Sequence, residues 1–239
     1  MTIEPDKELS LVNQGYAALR SGIVRGTYPP GVRLKLDTLQ QALGVSSSPL
    51  REALNRLVAE GLVEVEEGRG FRAAQISAKE FGELTHLRLL IEVDALDRAV
   101  ELGDDEWEGR VVSASHKLRR VEDRLLESDR TDHSVDEEWS ARHRLFHMAL
   151  LSGCANPRQM QFCGTLFDQA ERYRRICRQL SKQPRKKTQE HKAIEEAALG
   201  RDRALAVQLL TAHIQKTADR VAAILRKEVE INGAAAVTA

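Results

Sequence analysis

The sequence predicts a mainly α-helical protein, in which an N-terminal winged helix-turn-helix precedes an all-α antiparallel bundle of about six helices. Leucine and alanine dominate the apolar residues, aromatic residues make up 4%, and abundant charges balance to a formal net charge of +0. Most of the prolines and turn signals lie in the first third of the chain, and helical periodicity follows. We therefore divide the chain into domains at 1–75 and 76–230 and a disordered tail at 231–239.

The first two helices are separated by a turn. A helix over 11–25 must end before the Pro-Pro-Gly turn at 29–31, because consecutive prolines exclude a helix. Asp37 is a suitable N-cap for the short helix that follows. Gly44 is a suitable residue to end it.

A third helix and a hairpin complete the first domain. Serines 46–48 precede Pro49, an arrangement that favours a helix start, and the helix runs to about Gly61. The β-prone run at 62–74 is interrupted by two glycines around Arg69. This pattern predicts a small hairpin with a basic residue at its tip.

The rest of the chain predicts helices joined by short breaks. Ser77 with Glu80 three residues later is a capping box, and Ser134 with Glu137 is another. Similar signals place one helix from 77 onwards and further helices at about 105–126, 134–153, 157 to near 184, 190–200, and 202 to about 228.

The cysteine content and the apolar segments indicate the cellular compartment of the protein. Cys154, Cys163 and Cys177 include no Cys-x-x-Cys pair, and an odd number does not suggest a disulfide framework. The N-terminus has no apolar signal core, and no run approaches the ~20 apolar residues that a membrane span needs. We therefore expect a cytoplasmic protein with no membrane partner.

A helix-turn-helix places the start of its second helix in the DNA major groove. That start carries hydroxyl, guanidinium and amide groups here, which can bind phosphates or base edges. The alternative is a protein-binding module, because basic and acidic residues are equal in number up to Ala74. The candidate DNA contacts are Ser46, Ser47, Ser48, Arg51, Asn55, Gly68 and Arg69.

The segment 16–74 resembles the DNA-binding domain of GntR-family bacterial transcription regulators. The likeness lies in the PPG turn, the SSSPLREAL recognition helix and the GLVEVEEGRGF wing. It implies operator contacts for all of the candidate residues except Ser47 and Asn55. Many relatives carry arginine where this chain has Ser47, and some carry it near Asp37, so those base contacts do not carry over.

Two histidines lie four residues apart in one predicted helix. His143 and His147 therefore leave the same face, with Cβ atoms about 5–6 Å apart, among apolar neighbours. Single histidines at such places are usually satisfied without a metal, and the H-x-x-x-H spacing often arises by chance. A divalent cation is the alternative, because it binds two neutral imidazoles at once. His191 and His213, in the last two predicted helices, are further candidates.

The helical half resembles the FCD ligand-binding domain of the FadR branch of the GntR family, through HRLFHMALLSGCANP, EHKAIEEAALGRD and AVQLLTAHI. Many such domains bind a metal through an aspartate and three histidines. The resemblance implies His147, His191 and His213 as ligands, with His143 at the aspartate position. A neutral nitrogen there favours Zn²⁺ or Ni²⁺ over Mg²⁺ or Mn²⁺, and makes the site more positive.

An effector carboxylate would favour arginine beside the metal. Arg88 lies where FCD domains often place a pocket arginine, and Arg172 and Arg175 lie on the helix after Pro157. The alternative for each is an internal ion pair, as for Arg88 with Glu92. The segments DEWEGRVVSASHKLRRVE, RHRLFH and LFDQAERYR resemble the carbon-starvation regulators that respond to glutarate. We therefore predict a small dicarboxylate effector.

Three classes of function follow from these patterns. The first is a homodimeric repressor that the effector releases from operator DNA. A metallohydrolase would need glutamate directly after the first histidine of H-x-x-x-H, and that residue is Arg144. A metal-stapled helical adaptor would have no operator. We expect the regulator rather than an enzyme.

Overall fold

The computed structural model describes residues 7–127, 133–180 and 188–237. The chain forms two compact units. The first comprises the residues up to Ser77 together with Glu171–Leu180, and the second comprises Ala78–Ala170 and the chain after Leu180.

The first unit has the predicted winged helix-turn-helix. Its three strands are β1 at Arg33–Leu34, β2 at Val63–Glu66 and β3 at Gly70–Ala73, and they form an antiparallel sheet in the order β1-β3-β2. Leu19, Ile23 and Leu54 are fully buried in its core, where apolar residues recur at helical spacing. The elements are α1 Lys7–Arg25, β1 Arg33–Leu34, α2 Leu36–Leu43, α3 Ser47–Ala59, β2 Val63–Glu66 and β3 Gly70–Ala73.

Two local features of this unit differ from the sequence analysis. The pattern does not predict β1, because a strand of two residues is too short to show alternation. α2 begins at Leu36, so Lys35 takes the N-cap position and Asp37 lies in the first turn. An acidic residue there still stabilises the helix through its dipole.

Glycine geometry shapes the tip of the wing between β2 and β3. Gly68 and Gly70 have φ angles of 69° and 91°, which side-chain-bearing residues rarely adopt. The pair turns the chain within a few residues. Arg69 is thereby held at the tip, with 70% of its side chain exposed.

The second unit is the predicted helical bundle. Trp107 is fully buried in its core and donates its Nε1–H to the carbonyls of Ala149 and Leu150, both at 3.1 Å. Its elements are α4 Ala78–Leu102, α5 Asp105–Glu127, α6 His133–Leu151, a 3₁₀ turn at Ser152–Cys154, α7 Pro157–Leu180, α8 Thr188–Leu199 and α9 Arg203–Val237.

The last helix is longer than the sequence analysis predicts. α9 continues to Val237, whereas we expect an end near 228 and a disordered tail at 231–239. Residues 234–236 are three alanines, and alanine has the highest helix propensity of any residue type. Their propensity outweighs that of the single glycine before them. The predicted break near Pro184 lies outside the described residues.

Two glycines in open surroundings give a paired test of the backbone. Gly44 ends α2 with φ 65°, so Gly44→Ala is expected to destabilise the protein by about 1–2 kcal/mol. Gly82 lies inside α4, so Gly82→Ala is expected to stabilise it by about 0.5–1 kcal/mol. Urea denaturation measures the change in the free energy of unfolding for each variant. Changes of the same sign would contradict the backbone conformations of Gly44 and Gly82.

Candidate functional site

The predicted DNA contacts lie together on the surface of the first unit. Ser46 takes the N-cap position of α3, and Ser47 begins that helix. Arg51 and Asn55 are exposed one turn apart along it. Gly68 and Arg69 are exposed at the wing tip, and Ser48 is exposed in the first turn of α3. Each predicted residue is therefore positioned for contact with a ligand outside the unit.

A cleft joins the wing to the recognition helix. It has a volume of about 300 Å³, and Arg33, Lys35, Arg51 and Arg69 line it with only one acid, Asp37. The guanidinium of Arg33 donates to the carbonyl of Arg69 from Nε at 2.9 Å and from Nη2 at 2.5 Å. Sequence reasoning missed Arg33 and Lys35 as members of this surface. Their position directly after the Pro-Pro-Gly turn could have indicated them.

Residues 1–74 contain equal numbers of acids and bases but present a basic face, and internal ion pairs contribute to this. Glu60 accepts from Arg20 at 3.2 Å and from the hydroxyl of Tyr16. Burial and the neighbouring Glu60 raise the pKa of Tyr16. Glu66 accepts from Arg72 at 2.6 Å. Glu66 also lies 3.7 Å from Arg69, and in the lining of the cleft itself the bases outnumber the single acid.

Four histidines converge inside the second unit. His143 and His147 come from α6, His191 from α8 and His213 from α9, and each is at most 2% exposed. One nitrogen from each ring lies within 4.8 Å of the others. The Nε2 atoms of His143 and His147 are 3.1 Å apart. Two nitrogens bound to one tetrahedral Zn²⁺ would be about 3.3 Å apart, so the spacing fits a shared ion.

Carboxylates orient two of the rings. His191 Nδ1 lies 3.0 Å from Glu122 Oε1, and His213 Nδ1 lies 2.8 Å from Glu190 Oε2. A carboxylate accepts, so each Nδ1 carries the hydrogen and each Nε2 is the nitrogen able to bind a cation. The residues therefore fit a metal that prefers nitrogen. Sequence reasoning missed both glutamates.

Aromatic rings enclose the cluster. Trp139 stacks on His143 with 4.5 Å between ring centroids and 15° between planes. The Phe167 ring lies 5.5 Å from His143 and 5.3 Å from His147. These rings keep bulk water away from the imidazoles, which strengthens any electrostatic interaction at the site.

The arginines proposed for an effector all have internal partners. Arg88 is 2% exposed and donates to both oxygens of Glu92, at 2.6 and 2.9 Å, which is the ion-pair alternative. Arg172 donates to the carbonyl of Ala74, and Arg175 donates to Glu171 at 3.2 Å. Arg172 and Arg175 belong to the segment of α7 that clusters with the first unit. Effector binding by these three arginines stays a prediction.

Comparison with known proteins finds two protein-family models that match this chain. Residues 11–72 match the model of bacterial regulatory proteins of the gntR family, and residues 83–216 match the FCD domain. The chain is 35% identical over 208 residues to the HTH-type transcriptional regulator BphR of Paraburkholderia xenovorans (strain LB400), with 87% of this chain and 84% of that protein covered. The chain belongs to the GntR family.

A second relative supports this assignment, and two solved structures share the fold. The HTH-type transcriptional repressor GlaR of Escherichia coli (strain K12) is 34% identical over 84% of this chain and 90% of its own. The solved structure of E. coli McbR/YncC has a TM-score of 0.73 at 20% identity, with 88% of this chain and 96% of that chain covered. A GntR regulator from Rhodococcus sp. RHA1 has a TM-score of 0.70 at 22% identity, covering 89% and 97%. Both structures share the fold.

Membership of the GntR family confirms the predicted class of protein. The protein is a DNA-binding transcription regulator with an FCD domain, operator DNA is its partner, and it is not an enzyme. Within the described ranges, no helix has the length and apolar character to cross a membrane.

Proposed function

We propose that this regulator is a cytoplasmic repressor released from its operator by a small dicarboxylate, such as glutarate, bound at a metal ion. The observation that carries the proposal is the convergence of four buried histidines within the FCD match. The relative GlaR of Escherichia coli is named a transcriptional repressor, which supports the direction of regulation.

The proposed cofactor is Zn²⁺ or Ni²⁺, held by His143, His147, His191 and His213. All four donors are neutral imidazole nitrogens, which these ions prefer and Mg²⁺ does not. Neutral ligands leave the charge of the ion undiminished. The bound ion would supply a Lewis-acidic centre that attracts a carboxylate in a buried site.

Arg88 is the proposed second anchor for the effector. Its guanidinium lies 5.7 Å from the centroid of Phe167, and the same ring lies 5.5 Å from His143. A dicarboxylate long enough to pass this ring would place one carboxylate at the metal. The other would share the guanidinium with Glu92, since a guanidinium carries five N–H donors. Arg172 and Arg175 are the weaker proposals.

Operator binding tests the effector class. Glutarate is expected to weaken the affinity of the metal-loaded protein for its operator at least tenfold, which corresponds to about 1.4 kcal/mol of coupling. Pentanoate, with one carboxylate, serves as the control and should have little effect. Fluorescence anisotropy with operator DNA measures both. A change below twofold with glutarate and related dicarboxylates would show that the effector class is wrong.

We also propose that the protein acts as a homodimer through the second unit. Gln159 on α7 donates to the Ile91 carbonyl of α4 at 3.0 Å, which makes these helices neighbours. Large apolar side chains stay exposed on the same two helices, among them Leu87, Leu90 and Phe162. A dimer would cover them and set the spacing of two recognition helices on a two-fold operator. Effector binding would favour dimer conformations in which the two recognition helices have a different spacing.

Phe162 is the most exposed of these side chains, at 61%. Phe162→Glu is expected to weaken dimerisation by about 1.5–3 kcal/mol, because it removes a buried aromatic contact and adds a charge. Val112→Glu changes an exposed apolar residue on α5 and serves as the control. Native mass spectrometry over a dilution series measures the dimer fraction. Equal dimer fractions for the two variants would exclude this face as the interface.

A further inference from the structure

Glu122 on α5 is a buried carboxylate in contact with the histidine cluster. Its side chain is 6% exposed, and its Oε1 lies 3.0 Å from Nδ1 of His191. The same oxygen accepts the Nε1–H of Trp139 at 3.3 Å. Trp139 stacks on His143. Glu122 is therefore linked directly to one of the proposed metal ligands and through Trp139 to a second.

The surroundings of Glu122 differ from those of the other buried acids. Within the described residues Glu122 makes no ion pair with arginine or lysine, and its Oε2 has no hydrogen-bond partner. Placing a carboxylate in the interior without a nearby positive charge is strongly unfavourable. Each of the other buried acids forms an ion pair with an arginine. These pairs are Glu92 with Arg88, Asp168 with Arg144, Glu171 with Arg174 and Glu195 with Arg119.

Glu190 makes a similar contact but in a different environment. It lies 2.8 Å from Nδ1 of His213, is 23% exposed and also approaches Lys216 at 3.5 Å. Its charge is thus offset by a lysine and by solvent. Glu122 has neither, so a cation at the histidine cluster is the positive charge that would stabilise it.

We propose that Glu122 is the counter-charge and the positioning residue of the metal centre. By accepting the Nδ1–H of His191, it holds the tautomer in which Nε2 faces the ion. Its negative charge would offset part of the positive charge of an ion bound by four neutral imidazoles. The inference rests on the metal site proposed above, and it makes Glu122 a determinant of metal affinity.

Zinc affinity of the full-length protein tests this role. Glu122→Gln keeps the shape and one accepting oxygen but removes the charge. Competition with a chromophoric chelator is expected to show Zn²⁺ binding about 10–100-fold weaker than in the wild type. Glu195→Gln is the matched control, because Glu195 is a buried acid that contacts Ser115 and Arg119. Its zinc affinity should stay within about threefold of the wild type.

Proton NMR of the zinc-loaded wild type gives a second readout that needs no variant. The Nδ1–H of His191 should appear as a slowly exchanging, strongly downfield resonance, because a buried carboxylate accepts it. In Glu122→Gln this resonance should move upfield, and in Glu195→Gln it should not move. This difference would identify Glu122 as the acceptor of the hydrogen on His191 Nδ1.

The outcomes separate this inference from the metal site itself. If the wild type binds zinc and Glu122→Gln binds it equally tightly, Glu122 is not the counter-charge, although the metal site stands. The role is also refuted if Glu195→Gln weakens binding as much, or if His191 binds zinc through Nδ1. A wild type that binds no zinc at micromolar concentration overturns both proposals.

Discussion

Replacing both His143 and His147 with alanine is expected to remove metal from the protein. The two rings supply half of the four-nitrogen set, and their Nε2 atoms lie 3.1 Å apart. Metal content should fall from about one ion per chain to less than about a tenth, because two imidazoles alone hold a divalent ion weakly. Inductively coupled plasma mass spectrometry after dialysis measures the ratio.

The same variant should lose thermal stability. A ligand present at about 1,000 times its dissociation constant stabilises the folded state by about 4 kcal/mol, which corresponds to a Tm shift of about 10 °C for a chain of this size. Chelation of the wild type should give a similar shift. His86→Ala with His116→Ala is the matched control, since both histidines are exposed on α4 and α5. Full metal content in the His143/His147 variant would refute the ligand set.

Arg51→Ala is expected to cost about 1–3 kcal/mol of operator binding at each half-site. Arg51 is exposed in the first turns of α3 and lines the basic cleft beside the wing. Contact with a base edge or a phosphate would be lost without disturbing the core. Anisotropy titrations with specific and scrambled DNA distinguish the two contacts. Only the loss of a base contact changes the ratio of the affinity for specific DNA to the affinity for scrambled DNA.

Arg56 provides the control for Arg51 on the same helix. Its guanidinium lies 4.2 Å from the centroid of Tyr16 and donates to Asn13 at 2.9 Å, both on α1. Arg56→Ala should therefore lower the stability slightly and leave operator affinity close to that of the wild type. If the two variants lose the same affinity, Arg51 has no special role at the DNA surface.

Most of the fold could be predicted because its signals are local. The wing depends on two glycines and a β-prone run, and the helices depend on periodicity and on turn residues between them. The short strand β1 could not be predicted, since its pairing partner β3 lies almost forty residues further along the chain. The predicted start of α2 is two positions too late, because Lys35, rather than Asp37, takes the cap.

The metal site was only partly accessible from sequence. The spacing of His143 and His147 places both rings on one face, but it does not show what they meet there. His191 and His213 came from family resemblance, and the structure brings all four together. Glu122 could not be found, because it lies 69 residues from His191 and on another helix.

The arginines illustrate a different limit of sequence reasoning. Arg88 and Glu92 are four residues apart on a helix. This spacing is compatible with an internal ion pair and also with an arginine that binds a ligand. Only the structure shows that both side chains are buried and joined by two hydrogen bonds. A single spacing rule therefore identifies a pair but does not determine what it binds.

The most direct measurement is an anomalous difference map at the zinc or nickel absorption edge, from crystals of protein purified without chelators. We predict one peak per chain, about 2.0–2.1 Å from the Nε2 atoms of His143, His147, His191 and His213. A map without a peak at that position, with the four rings turned towards separate partners, would contradict the proposed sensor.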